Sequence, residues 1–325
     1  MHRVISRNVT RRGLLKLTAL AGAMLLGAGV GIGIGPMTAR KVGAQGFEGV
    51  SDELIHGFGY PEVTVTAGPD GADAPSDLAA GLTVVNLAAP EGYLTYVDIV
   101  TVPEGLSDDV LAEQGLAAGS GDVPQEGWVY HGGTNSPTPG QTTSFIIDLK
   151  PGEYRWAISF YKEYVEGEEF VETMFVPRLT VAAGEASPEA VAEPPSTVTL
   201  EETDGLEYIV TPDPVPTGPQ LWKITNTGHH HAHHVVMIGI PESVTKQQII
   251  TEFNGMMAGT PTPPEASFWA QATPAGYAAL QSGGQTTWAE FDLAPGHYAV
   301  ICFIFDPETM RPHAADGMIT LFSVE

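Results

Sequence analysis

The residues that could do chemistry crowd into two short stretches. Five histidines fall within six positions, at His229, His230, His231, His233 and His234, directly ahead of an apolar Val235-Val236-Met237 run. Near the C-terminus Cys302, the only cysteine, is followed by His313 and Met318. A thiolate, imidazoles and a thioether are soft or borderline donors. A His2Cys set with a long axial Met suits a one-electron copper centre, because Cu(II) favours nitrogen donors and Cu(I) favours soft, low-coordinate ones. A rigid frame that imposes one compromise geometry on both states lowers the reorganisation that electron transfer requires. Each residue also has an inert reading. A lone Cys on a strand is usually a small buried hydrophobe, His313 suits a surface loop, Met318 suits a core, and the surplus histidines suit a solvated loop. The combination, in this order, is what points to copper. The single cysteine also excludes an internal disulfide and any Cys-based zinc or iron–sulfur cluster.

The elements that must position these residues repeat. Gly140-Gln-Thr-Thr-Ser-Phe-Ile-Ile-Asp-Leu-Lys-Pro-Gly-Glu-Tyr154 recurs as Gly284-Gln-Thr-Thr-Trp-Ala-Glu-Phe-Asp-Leu-Ala-Pro-Gly-His-Tyr298, an offset of 144. Upstream, Val84-Val85-Asn86 matches Ile224-Thr225-Asn226, and Val102-Pro103-Glu104 matches Ile240-Pro241-Glu242. Each copy has the size of one domain. The sequence therefore divides into residues 48–181, a Pro-, Ala- and Glu-rich linker at 182–197, and residues 198–325. Short β-branched runs bounded by Gly or Pro predict strands at 62–66, 82–85, 95–100, 144–149 and 154–160. Gly and Pro, 38 and 26 of 325 residues, fit such a turn-rich chain. One helix is expected per copy, starting near Ser107 and near Thr245, the latter with a Thr245–Gln248 capping box. The fold class is all-β: two tandem Greek-key sandwiches, each with one short helix.

Three motifs carry a family resemblance: Asn226-x-Gly228 and a His ahead of the Val235-Val236 strand, Tyr298-x-x-x-Cys302, and Pro312-His313-x-x-x-Gly317-Met318. They make the second copy similar to the cupredoxins, the blue type 1 copper proteins of the plastocyanin, pseudoazurin and halocyanin group. The resemblance implies one type 1 copper with Cys302 as thiolate ligand, His233 and His313 as imidazole ligands and Met318 as axial ligand. His234 stands as the alternative to His233. It further implies an electron port at an exposed edge of His313, ringed by apolar residues. Two departures stand out. Ten residues separate Cys302 from His313 where small cupredoxins have two, and Ala232 stands where Pro often precedes the first His. The first copy carries Ile158 in place of Cys302 and Thr95 and Tyr96 in place of His233 and His234, with no His between Tyr154 and Val181. It reads as a cupredoxin-like domain without copper, with a packing or docking role.

The leading function is thus an electron carrier, not an enzyme. A nitrite reductase or multicopper oxidase wires a second copper through a His beside the Cys, and Cys302 is flanked by Ile301 and Phe303. An alternative is copper capture or delivery through the His tract, which could hold an extra ion; a metal-free scaffold is a third. Met256, Met257 and Met310 suit packing more than Cu(I) contacts, and His56, His131 and His297 receive no role. Residues 1–44 hold seven basic and no acidic residues. Thr10-Arg11-Arg12-Gly13-Leu14-Leu15-Lys16, the apolar run from Leu17 to Met37 and Val42-Gly43-Ala44 resemble a twin-arginine export signal cleaved after Ala44. That places the protein in the periplasm or on the outer face of the cytoplasmic membrane. Membrane association follows only if the signal stays uncleaved. Its removal leaves seven basic against 39 acidic residues, a net charge near −32. Such a surface excludes nucleic acid and suits a basic redox partner protein.

Overall fold

Alternation of inward and outward residues sets the strands. Val198–Thr203 buries Val198, Leu200 and Glu202 and turns Thr199, Glu201 and Thr203 outward. Gly152–Lys162 is buried along most of its length, as a strand covered on both faces must be. A computed structural model describes residues 5–9, 53–117, 123–136, 140–162, 170–183 and 192–325. The chain is an all-β sandwich of two large sheets. The five predicted strands are present as Glu62–Gly68, Gly81–Ala88, Tyr93–Thr101, Thr142–Leu149 and Gly152–Lys162. The predicted helices run Asp108–Ala117 and Lys246–Met257. Thr245 caps the second, its hydroxyl accepting from the Gln248 N–H at 3.2 Å. A short helix at Glu53–His56 was not expected.

The sheets run through both copies. One path orders Ile5–Val9, Phe170–Phe175, Gly152–Lys162, Tyr93–Thr101, Val129–Ser136, Thr273–Gln281, His233–Ile240, Gly296–Ile301 and Ile319–Val324. The other orders Glu207–Thr211, Val198–Thr203, Gly218–Asn226, Thr286–Leu293, Thr142–Leu149, Gly81–Ala88, Glu62–Gly68 and Gly71–Asp73. The copies join where Thr142–Leu149 pairs antiparallel with Thr286–Leu293, its own equivalent. Phe145 there faces Ala289, the residue at the repeat offset, so the join lies on an approximate two-fold. In the other sheet His131 pairs with Gln281 across the same seam. Its ring is held between Thr101 Oγ1 and Gln285 Oε1, each at 2.8 Å.

The layers enclose a core in each copy. Val85, Phe145, Trp156 and Ile158 fill the first; Leu200, Trp222, Val300 and Phe322 lie in a larger core that also takes in Val100, Leu111, Trp128 and Tyr130 of the first copy. Fully burying one such side chain contributes about 1.5–3 kcal/mol. A further cluster, with Ile249, Phe253, Phe268, Phe303 and Ala314, seats the Lys246–Met257 helix on the second copy. Among the described residues no helix is long and apolar enough to cross a membrane. The twin-arginine motif, the Leu17–Met37 run and the cleavage site lie outside the described residues, as do linker residues 184–191.

Candidate metal centre

The histidine tract is held by its backbone. Asn226 Nδ2 donates to the carbonyls of His231 and Gln281, both at 2.8 Å, and its Oδ1 accepts from the Gly228 N–H at 2.9 Å. The Asn-x-Gly motif is therefore a clamp between two segments. Gly is required at 228, since a Cβ there would lie 2.4 Å from Asp204 Oδ1. The Asp204 carboxylate accepts from the N–H groups of His229, His230 and His231 at 2.8, 2.9 and 3.4 Å. Desolvation pushes this carboxyl up, but the N–H bonds outweigh it and hold it down at about 2. The tract then enters His233–Ile240, a strand with every residue but Gly239 buried.

Cys302 follows directly on the Gly296–Ile301 strand. The long spacing to His313 is absorbed locally. Residues 303–312 pinch into a small hairpin: Asp306 N–H donates to the Arg311 carbonyl at 2.9 Å, and Phe305 bridges Pro312. The His313 N–H then donates to the Ile304 carbonyl at 2.8 Å and the Ala314 N–H to the Cys302 carbonyl at 2.9 Å. His313–Asp316 forms one 3-10 turn that ends at Gly317, whose φ of 106° is a left-handed conformation favouring glycine. Met318 closes the loop, its carbonyl accepting from the Cys302 N–H at 3.2 Å. Arg311 fastens the hairpin, donating to Asp316 Oδ1 and to Asn254 Oδ1 on the helix.

These elements bring His233, Cys302 and His313 together. His233 Nδ1 and His313 Nδ1 are 3.1 Å apart, and Cys302 Sγ lies 3.8 and 3.5 Å from them. A point equidistant from the three atoms in their plane is about 2.0 Å from each, the length of a metal–imidazole bond. All three residues are buried. Burial raises the Cys302 thiol to about 12 and lowers His233 to about 3 and His313 to about 4. The pocket thus favours neutral imidazoles, the form that ligates a metal. A bound cation would provide the charge that the thiolate needs. The three donors fit a metal ion.

His234 points elsewhere. Its Nε2 accepts from the Phe303 N–H at 2.9 Å, so this buried ring braces the segment just after Cys302. Met318 is fully buried in the core cluster that includes Cys302. His229 and His230 are exposed, as are Met257 and Met310. The expected exposed edge of His313 is not there. Only 2 % of His313 is accessible, because the His231 ring stands edge-on over it with centroids 5.3 Å apart. In the first copy Ile158 and Thr95 are fully buried, and Tyr96 pairs its hydroxyl with Tyr161. Among the described residues both metal-capable groupings lie between residues 231 and 313.

Sequence reasoning passed over two neighbours of Cys302. Tyr208 donates its hydroxyl to the His234 carbonyl and lies within hydrogen-bonding reach of the Cys302 sulfur. Glu202 is fully buried with neither carboxylate oxygen partnered, and burial raises it well above the usual carboxylate range. The strand alternation that buries Val198 and Leu200 was the available signal for Glu202.

No protein-family model matches the chain, and no curated protein matches it. Among solved structures, dithionite-reduced auracyanin from Roseiflexus castenholzii is 22% identical, with 39% of this chain and 94% of that chain covered and a TM-score of 0.24. Auracyanin A from Chloroflexus aurantiacus, described as a blue copper protein, is 14% identical, with 39% and 96% covered and a TM-score of 0.25. A multi-copper oxidase from Pediococcus acidilactici is 8% identical, with 82% and 59% covered and a TM-score of 0.20. Likenesses this weak leave the chemistry to be read from the site itself.

Proposed function

We propose that this chain is an exported copper protein that carries single electrons. Its metal would sit in the second of two cupredoxin-like domains, residues 48–181 and 198–325, joined by the 182–197 linker. His233, Cys302, His313 and Met318 would hold it. The observation that carries the reading is the buried triangle of two Nδ1 atoms and one Sγ at 3.1, 3.5 and 3.8 Å.

Bound copper supplies a one-electron couple at this donor set. The protein supplies the frame. The Cys302–Met318 and Ala314–Cys302 backbone bonds fix the sulfur-bearing residue from both sides. His234 fixes the Phe303 amide, and the hairpin at 303–312 anchors His313. Burial of all three donors keeps bulk water out and limits how far they can rearrange. No His adjoins Cys302, so the Cys-His route by which a multicopper enzyme wires a second copper is missing; this favours carriage over catalysis. The N-terminal address implies work in the periplasm or on the outer face of the cytoplasmic membrane. The acidic surface would steer a basic redox partner protein.

The test is the visible and EPR spectrum of Cu(II)-loaded protein, with Cys302→Ser beside it. An intense thiolate-to-copper band that the substitution abolishes is expected. Copper bound without that band, and indifferent to Cys302→Ser, would overturn the reading.

A further inference from the structure

A second set of donors meets at the same His313 ring. His231 Nδ1 lies 3.9 Å from Asp306 Oδ2, and ligand atoms of His231, Asp306 and His313 all fall within 4.8 Å of one another. His313 offers a nitrogen for them: Nδ1 faces the inner triangle, while Nε2 is buried with no hydrogen-bond partner. The carboxylate is prepared for a ligand. Asp306 Oδ1 accepts from the Glu308 and Thr309 N–H groups at 2.8 and 2.7 Å, which leaves Oδ2 turned to His231. The His231 backbone is fixed at both ends, through its N–H to Asp204 and its carbonyl to Asn226. The side chains of His231 and Asp306 are 30% and 19% exposed, whereas the inner donors are 2% exposed or less. Bonds of about 2.0–2.2 Å put ligand atoms roughly 3–4 Å apart, so closure asks for a shift of about an ångström from the half-exposed His231.

We propose that His231, Asp306 and His313 form an outer metal site that takes a divalent ion such as Cu(II) through nitrogen and oxygen donors and, by sharing His313, loads the inner triangle. Imidazole with carboxylate is a competent set for Cu(II) and Zn(II) but lacks the soft sulfur of the inner site. An ion arriving from solvent meets the outer donors first. It then releases His231, Asp306 and His313 Nε2 and is taken up on the other side of the same ring by His313 Nδ1, His233 and Cys302. The loading role rests on the copper reading above; the existence of the outer site does not.

Two measurements on the full chain test this. The first titrates Cu(II) into Cys302→Ser with His233→Ala, which removes two inner donors and leaves the outer set whole. One Cu(II) with a tetragonal nitrogen/oxygen EPR signal is expected, and adding His231→Ala with Asp306→Asn should weaken it at least tenfold. Asn at 306 retains the oxygen that the turn requires. The second mixes Cu(II) with metal-free protein carrying all inner donors and follows the thiolate band by stopped flow. His231→Ala with Asp306→Asn should slow its appearance at least tenfold and leave its final amplitude unchanged. Copper affinity and loading rate that ignore both substitutions would place the ion on exposed His229 and His230 and overturn the outer site. A wild-type chain with no thiolate band but with copper sensitive to His231 and Asp306 would instead overturn the electron-carrier reading and leave the outer site standing.

Discussion

One carboxyl at the seam gives the fold a pH dependence of its own. Asp98 lies in the Tyr93–Thr101 strand of the first copy, and its carboxylate receives a backbone bond from Leu280 of the second. Its Oδ1 is buried with no partner. Burial raises the carboxyl from 3.8 to about 7, the single backbone bond offsetting only part of the desolvation. Between pH 4 and 7 the folded chain therefore holds a proton that the unfolded chain has released. Stability from this group is complete below pH 4 and is lost as pH rises through 7. At about 1.36 kcal/mol per pH unit, the rise from 3.8 to about 7 makes the loss as large as about 4 kcal/mol. Asp98→Asn mimics the protonated acid. The variant should match the wild type near pH 4 and exceed it by up to about 4 kcal/mol at pH 8. Urea unfolding of both metal-free proteins, followed by tryptophan fluorescence at pH 4 to 8, measures this, because the difference between them cancels the other titrating groups. A difference that stays flat across that range would refute the reasoning.

Other expectations follow from the loops around the site. Met318→Ala should cost about 2–5 kcal/mol in urea unfolding because it opens a cavity in a fully buried position, and Met318→Leu should cost less than about 1.5 kcal/mol. His234→Ala strands the buried Phe303 N–H and should cost about 1–3 kcal/mol, while the thiolate-to-copper band persists; loss of the band in a folded variant would make His234 a ligand. Thr245→Ala removes the helix cap and should cost about 0.5–2 kcal/mol with no change in metal binding by spectral titration.

Much of this architecture was legible because the signals were local. Alternation marked the strands, and the repeat revealed two copies. The Thr245–Gln248 pair marked a helix start to within a residue. The Pro312-His313-x-x-x-Gly317-Met318 pattern is likewise local, since its glycine encodes the left-handed end of a 3-10 turn. What escaped depends on contacts distant in sequence. Nothing in the ten residues after Cys302 announces that Asp306 and Arg311 close them into a hairpin and so return His313 to the sulfur. The cover over His313 comes from His231, in a tract whose neighbours His229 and His230 face solvent, and composition does not separate the three. The bond between His234 and the Phe303 amide was equally hidden, because the two residues lie 69 apart in sequence.

The join at Phe145 and Ala289 bears on how such a chain arises. A strand left at the edge of a sheet is a template for any chain that can match it. When equivalent strands pair across a two-fold, either copy alone would present the surface that recognises a second copy of itself. The tandem chain is in that sense a homodimer closed by a tether, its partner always present at high effective concentration. Once tethered, the halves are free to diverge. The first copy carries Ile158, Thr95 and Tyr96 where the second carries Cys302, His233 and His234, and still pairs with it at the seam.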